Sequence, residues 1–257
     1  MKIIDAHTHV TNDGHWFETR YDASIDRLVQ SIDENRIDRV VVLPIHPGIS
    51  NDFIVEISRE YSGFISGFCS LNPLMPDAEQ VLEHYIQDKG LCGLKLHPKI
   101  QGFNLSQLPL DLVERCGDLE IPILIDAWIG QHEVGKSLII ESICTIAGMN
   151  PDTTIIIPHL GGYRFFDMPS ICESFPNIFF DLSYILLRFA RTGGLPDLVT
   201  ALKMMDPARL IYGSDFPESD IGEYLGIFFY AGNDIGWNKG DLDKIMSGTI
   251  KNMIHVN

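Results

Sequence analysis

Thr154-Ile155-Ile156-Ile157-Pro158-His159-Leu160-Gly161-Gly162 carries the signal that decides the fold. Three consecutive isoleucines with no polar residue between them describe a strand covered on both faces, as in a parallel sheet flanked by helices. The run then stops at a proline, a histidine and two glycines, so the strand delivers an ionisable side chain at its C-terminal end. Val40-Val41-Val42-Leu43 repeats the apolar pattern within Arg39–Leu43. Working outward, strands are expected at Lys2–Ala6, Arg39–Leu43, Phe64–Ser70, Leu91–Leu96, Ile121–Ile125, Thr153–Ile157, Asn177–Leu182 and Arg209–Tyr212.

Amphipathic stretches alternate with these runs. Ser24–Asn35 places Ile25, Leu28, Val29 and Ile32 on one helical face. Further helices are expected near Asp52–Tyr61, after Pro76-Asp77, near Leu108–Leu119, Lys136–Ala147 and Leu195–Met205, with a closing helix over Asp241–Ile254. Eight strands, each followed by a helical stretch, predict an α/β protein: a (β/α)8 TIM barrel occupying residues 1–257 as a single domain. A doubly wound open sheet has the same alternation and is the structural alternative.

Composition narrows the partners. The 35 acidic and 19 basic residues give a net charge of −16, so nucleic acid and anionic membrane surfaces are repelled. A small-molecule substrate is expected, and an anionic one needs a local cationic patch. Five cysteines without a CxxC pair read as buried free thiols, which fits a reducing, cytoplasmic setting. The N-terminal MKIIDAH lacks the apolar core of a signal peptide, and no run reaches transmembrane length. A homodimer is compatible with the sequence.

The polar residues fall at strand ends. His7-Thr8-His9 follows the first strand, and residues two apart on a strand share a face. Lys95 and His97 share a face at the end of the fourth. Asp126 ends the fifth, His159 the sixth and Asp215 the eighth. Five strands thus present ionisable side chains at the C-terminal rim, where TIM-barrel sites sit. Buried charges persist when they are paired or coordinate a metal.

Together, His7-Thr8-His9, Gly93-Leu94-Lys95-Leu96-His97-Pro98, His159-Leu160-Gly161-Gly162 and Gly213-Ser214-Asp215-Phe216-Pro217 resemble the amidohydrolase superfamily. Within it they resemble the amidohydrolase-related branch of aminocarboxymuconate semialdehyde decarboxylase-like metal-dependent hydrolases. The resemblance implies one divalent metal, zinc first and manganese as the harder alternative, held by His7, His9 and Asp215 with a strand-five residue. The family has histidine at that fourth position, and Asp126 stands there in this chain. Asp126 can ligate directly, His159 can replace it, or the site can be weakened or favour a harder metal.

In the resembling family, the strand-six histidine polarises substrate or acts in general acid–base catalysis, a role that falls on His159. Asp215 takes a proton from the water that the metal activates. Lys95 can bind a substrate carboxylate, be carboxylated to bridge a second metal, or pair with Asp126. His97 contacts substrate or packs on Pro98. Arg164 grips a substrate carboxylate or lies on the surface, and Trp128 and Trp16 wall the pocket or pack structurally. His15 and His46 read as loop residues, and His84, His132 and His255 as surface or packing residues. The acidic stretch Asp215–Asp220 reads as a solvated loop beyond Asp215.

The expected reaction is hydrolysis of a C–N or C–O bond of a small molecule. Non-oxidative decarboxylation or hydration on the same site is the nearest rival. A Schiff-base aldolase using Lys95, or a barrel that binds ligand without turnover, are the readings from other classes.

Overall fold

The computed structural model describes residues 1–130 and 137–255. Its eight strands are β1 (Ile4–Thr8), β2 (Arg39–Val42), β3 (Ile65–Gly67), β4 (Leu94–Leu96), β5 (Ile123–Ile125), β6 (Ile155–Ile157), β7 (Ile178–Asp181) and β8 (Leu210–Ile211). All neighbours pair in parallel, in two sheets of order β1-β2-β3 and β4-β5-β6-β7-β8. Backbone hydrogen bonds join the sheets at both seams. Cys92 N donates to Gly67 O and Lys95 N to Cys69 O between β3 and β4; Ala6 N donates to Tyr212 O and Asp215 N to His7 O between β8 and β1. The eight strands therefore form the ring of a TIM barrel, as the alternation predicts.

Strand alternation sorts the apolar side chains into two cores. Val40, Val42, Ile123, Ile125, Ile155 and Ile157 face the surrounding helices. Val41, Leu43, Phe68, Leu124, Ile156 and Ile211 form a separate inner cluster, joined by Ile250 and Ile254. Those last two come from the C-terminal helical segment, which covers the floor of the barrel. The interior is thus filled from below, and the polar residues collect at the mouth.

Several elements differ from expectation. β1 reaches Thr8, so His7 lies inside the strand and His9 directly after it. Asp5 pairs with Val40 but Thr8 with Val42, one residue more on β1 than on β2. This bulge sits beside the site, where such irregularities re-aim side chains. The helix expected from Lys136 spans Ile139–Met149, and Lys136 itself lies outside the described residues. The helix Ile221–Ile235 adds to the expected set; its start is marked by the Asp220 side chain accepting from Glu223 N and its end by Gly236. Of the Asp215–Asp220 stretch, Phe216 and Ser219 are buried, so the reading as a solvated loop is corrected. All five cysteines are free. Among the described residues, no helix is long and apolar enough to cross a membrane.

Candidate metal centre

His7, His9, Lys95, Asp126, His159, Asp181 and Asp215 are all buried at the mouth of the barrel. The backbone explains how three of them arrive there. The segment after β6 coils through left-handed conformations at His159, Leu160, Gly161 and Gly162, with φ of 55°, 47°, 68° and 64°. Such a run is disfavoured for residues with a Cβ and persists where the surroundings hold it. A Cβ on Gly162 would stand 2.7 Å from the Ile129 carbonyl oxygen, so only glycine fits the turn that tips His159 inward. Gly213 plays a similar part: a Cβ there would lie 2.7 Å from the His7 Cβ, and its absence lets the end of β8 close against β1. Asp215 follows with φ 69°.

Hydrogen bonds fix the tautomers of the β1 pair. His9 Nδ1 lies 2.6 Å from the Leu43 carbonyl, which can only accept, so Nδ1 carries the proton. His7 Nδ1 donates to Asp181 Oδ2 at 2.5 Å, with Ser183 Oγ 3.1 Å away. Burial, then the charge on Lys95, hold His7 well below the ordinary histidine range, so its ring is neutral. With Nδ1 as the donor in each ring, Nε2 is left as the ligating atom of each neutral imidazole, and the two Nε2 atoms face each other at 3.1 Å. Asp215 Oδ1 lies 3.4 Å from His7 Nε2 and 3.6 Å from His9 Nε2.

Three electron-rich atoms this close repel one another unless a cation sits among them. Ligands about 2.0–2.1 Å from a tetrahedral zinc stand roughly 3.3 Å apart, which is the observed spacing. Donor types, tautomers and spacing all fit a divalent metal. An overlapping set of His7, His159 and Asp215 has its ligand atoms within 4.8 Å of one another.

Asp126 comes to the other side of the mouth. Its Oδ2 lies 3.7 Å from Lys95 Nζ and 3.5 Å from His159 Nε2, and its Oδ1 lies 3.7 Å from His97 Nε2. Burial alone would raise the Asp126 carboxyl, but His97, His159 and Lys95 hold it well below the usual carboxylate range. Lys95, 1% exposed, is itself lowered by burial against the pull of Asp126. Burial pushes His97 down to about 4, and its Nδ1 also accepts from Ile100 N. His159 is opposed by burial yet raised to about 9 by the carboxylates of Asp215 and Asp126. Its Nδ1 donates to the Ser183 carbonyl, which turns Nε2 toward Asp126.

The mouth opens into a cavity of about 540 Å³ lined by the β1 histidines, Lys95, His97, Trp128 and Arg188, among others. Trp16 stacks on His9 with ring centroids 4.7 Å apart and donates from Nε1 to Glu218 at 2.7 Å. Glu218 thus braces the wall of the cavity. Arg164 does not reach it: the guanidinium bonds Asp167 and, at 2.9 Å, Glu141, so its placement in the substrate site is corrected. Having just left the left-handed turn, the chain points this side chain away from the mouth. His15 is exposed on its loop, and His132 lies outside the described residues.

Two functional residues escape the sequence reading. Asp181 ends β7 as Asp126 ends β5, and that placement was the available signal. Arg188 sits on the helix Ile185–Thr192, where its cavity-facing position depends on how the helix packs.

The amidohydrolase family profile matches residues 4–249. No curated protein matches the sequence. Among solved structures, the chain is similar to a probable 2-pyrone-4,6-dicarboxylic acid hydrolase from Acinetobacter baumannii with citric acid bound, at 16% identity over 100% of both chains and a TM-score of 0.73. It is also similar to an amidohydrolase from Burkholderia multivorans with bound zinc, at 11% identity over 100% of both chains and a TM-score of 0.73. A third is 2,6-dihydroxybenzoate decarboxylase from Rhizobium, at 14% identity over 99% of this chain and 98% of that one, with a TM-score of 0.69. With a profile match that runs from β1 to beyond the last strand, the chain belongs to the amidohydrolase family.

Proposed function

We propose that this chain is a metal-dependent hydrolase that cleaves a C–N or C–O bond of a small molecule. The observation that carries the reading is the pair of ligating Nε2 atoms of His7 and His9 converging with Asp215 Oδ1 at 3.1, 3.4 and 3.6 Å. His7, His9 and Asp215 would hold one divalent cation, zinc by donor type and spacing. The zinc in the Burkholderia structure supports that choice. A cation held there would supply activation of water and polarisation of the bond to be broken.

The chain's own residues supply the rest. Asp181 holds His7 in the tautomer that frees Nε2, as carboxylates behind ligating histidines do. A carboxylate oxygen of Asp215 takes the proton of the attacking water. His159, whose Nε2 faces the Asp126 carboxylate at 3.5 Å, delivers a proton from Nε2 to the leaving group. The Asp126 carboxylate keeps that proton in place on Nε2, and Trp16 and Trp128 limit the entry of bulk water.

Zinc-loaded and chelator-stripped protein should be compared on a panel of lactones, aryl esters and N-acyl amino acids. Hydrolysis that disappears on chelation and returns with zinc is the expected result; hydrolysis indifferent to chelation contradicts the reading. A second reading, non-oxidative decarboxylation, is favoured by one observation: a histidine whose Nε2 lies 3.5 Å from a carboxylate in the mouth can also deliver a proton to carbon. Carbon dioxide release without net consumption of water selects it.

A further inference from the structure

Asp215, the ligand that follows β8, sits in a left-handed conformation with φ 69°. A residue with a Cβ keeps such a conformation only where its surroundings hold it. Hydrogen bonds bracket it on both sides. Consecutive N–H groups of a regular strand point to opposite neighbours, yet Ser214 N and Asp215 N both donate to β1. Asp215 N meets the His7 carbonyl at 2.9 Å. Ser214 N meets a side chain instead, Asp5 Oδ1, also at 2.9 Å. On the far side, Phe216 N donates to Ser214 Oγ at 3.1 Å, and Ser219 Oγ donates to the Ser214 carbonyl.

Asp5 reaches this bracket from another strand. It is 0% exposed, and its Oδ1 accepts from His7 N at 3.2 Å as well as from Ser214 N. One oxygen atom thus joins the amide of the ligand His7 to the amide that precedes the ligand Asp215. The other oxygen, Oδ2, is covered and has no partner among the described residues. An unpaired carboxyl oxygen in a buried position opposes folding; the effect of its twin is geometric. β1 carries its bulge between Asp5 and Thr8, so the strand's own carbonyls are out of step there. Gly213 allows β8 to come close to His7 at this point, and Asp5 fixes where it stops.

We propose that Asp5 is a positioning residue of the metal centre: its Oδ1 pins Ser214 N to β1 and so holds Asp215 in the left-handed conformation that carries its carboxylate to His7 and His9. This deepens the metal-dependent reading given above and rests on it. The bond needs an acceptor at that point and not a charge. Asparagine supplies the acceptor in the same place, glutamate carries it one methylene too far, and alanine removes it.

Cobalt(II) and zinc are the probes, titrated into chelator-stripped full-length wild type, Asp5→Asn, Asp5→Glu and Asp5→Ala. Ile250→Val, which loosens the inner cluster at the floor of the barrel, serves as the control for general destabilisation. Visible absorption of bound cobalt reads the geometry around the ion, and chelator competition reads zinc affinity. Asp5→Ala and Asp5→Glu should show an altered cobalt spectrum and lose zinc affinity by roughly the 10–100-fold typical of a residue behind a ligand. Asp5→Asn and Ile250→Val should keep the wild-type spectrum and affinity. Wild-type behaviour in Asp5→Ala, or an Asp5→Asn as impaired as Asp5→Ala, overturns the proposal. So does an equal loss in Ile250→Val, which assigns the effect to loosening of the barrel. If Asp5→Ala does not fold, the contrast between Asp5→Glu and Asp5→Asn decides, and an Asp5→Glu indistinguishable from wild type overturns the proposal. All these outcomes leave metal uptake by the wild type intact; a wild type that takes up neither ion overturns the metal-dependent reading and the role of Asp5 with it.

Discussion

On the β1–β8 side of the mouth, His7, His9 and Asp215 bring ligand atoms to 3.1, 3.4 and 3.6 Å. On the β4–β5 side, Asp126 lies 3.5–3.7 Å from His159, Lys95 and His97. The spacings are alike and the signs are not. The first side converges lone pairs on one another and is incomplete without a cation. The second surrounds a carboxylate with donors and is complete as it stands. Both sides use histidine and aspartate, so residue type alone does not tell a metal site from an ion cluster; the proton positions do.

That contrast can be broken by substitution, and the largest effect should come from the first side. His7→Ala removes one of the converging lone pairs. Zinc affinity should fall by more than the roughly 10–100-fold typical of a residue behind a ligand, and chelation-sensitive hydrolysis should vanish with it. Equilibrium dialysis against zinc checks the first effect, and an unchanged affinity would remove His7 from the centre.

On the second side, Asp126→Asn should leave zinc stoichiometry unchanged but strand Lys95, which is 1% exposed. Removing one partner of a buried ion pair costs about 3–5 kcal/mol. Denaturant unfolding should show a lowered midpoint, while metal analysis shows zinc still bound. Loss of zinc with intact stability would move Asp126 to the metal side.

Asp181→Asn sharpens the first side from behind. The amide still accepts from His7 Nδ1 but no longer supports it with charge, so zinc affinity should fall about 10–100-fold. Chelator competition measures this. Arg164→Gln should do least: its ion pairs are partly exposed, worth under about 1 kcal/mol, and neither zinc binding nor turnover should change.

The barrel itself was legible because parallel strands leave unbroken apolar runs such as Ile155–Ile157, and helices leave a different period. His7, His9 and Asp215 were legible because strand ends in a closed barrel share one rim. What escaped depended on contacts between distant segments. Asp181 looks like any acidic strand end until His7 is seen to donate to it. Arg164 and Arg188 both follow strands and both look like surface arginines. Only the left-handed turn at His159–Gly162 and the packing of Ile185–Thr192 send one outward and the other to the cavity. Asp126 was placed by analogy of position, and the cations gathered on it are visible only in three dimensions.

The most direct test is a calorimetric titration of the chelator-stripped wild-type protein with zinc. A single saturable site of one equivalent per chain is the result expected if two imidazoles and a carboxylate converge as ligands of one cation. A flat titration, with the folded protein taking up no zinc, would contradict it.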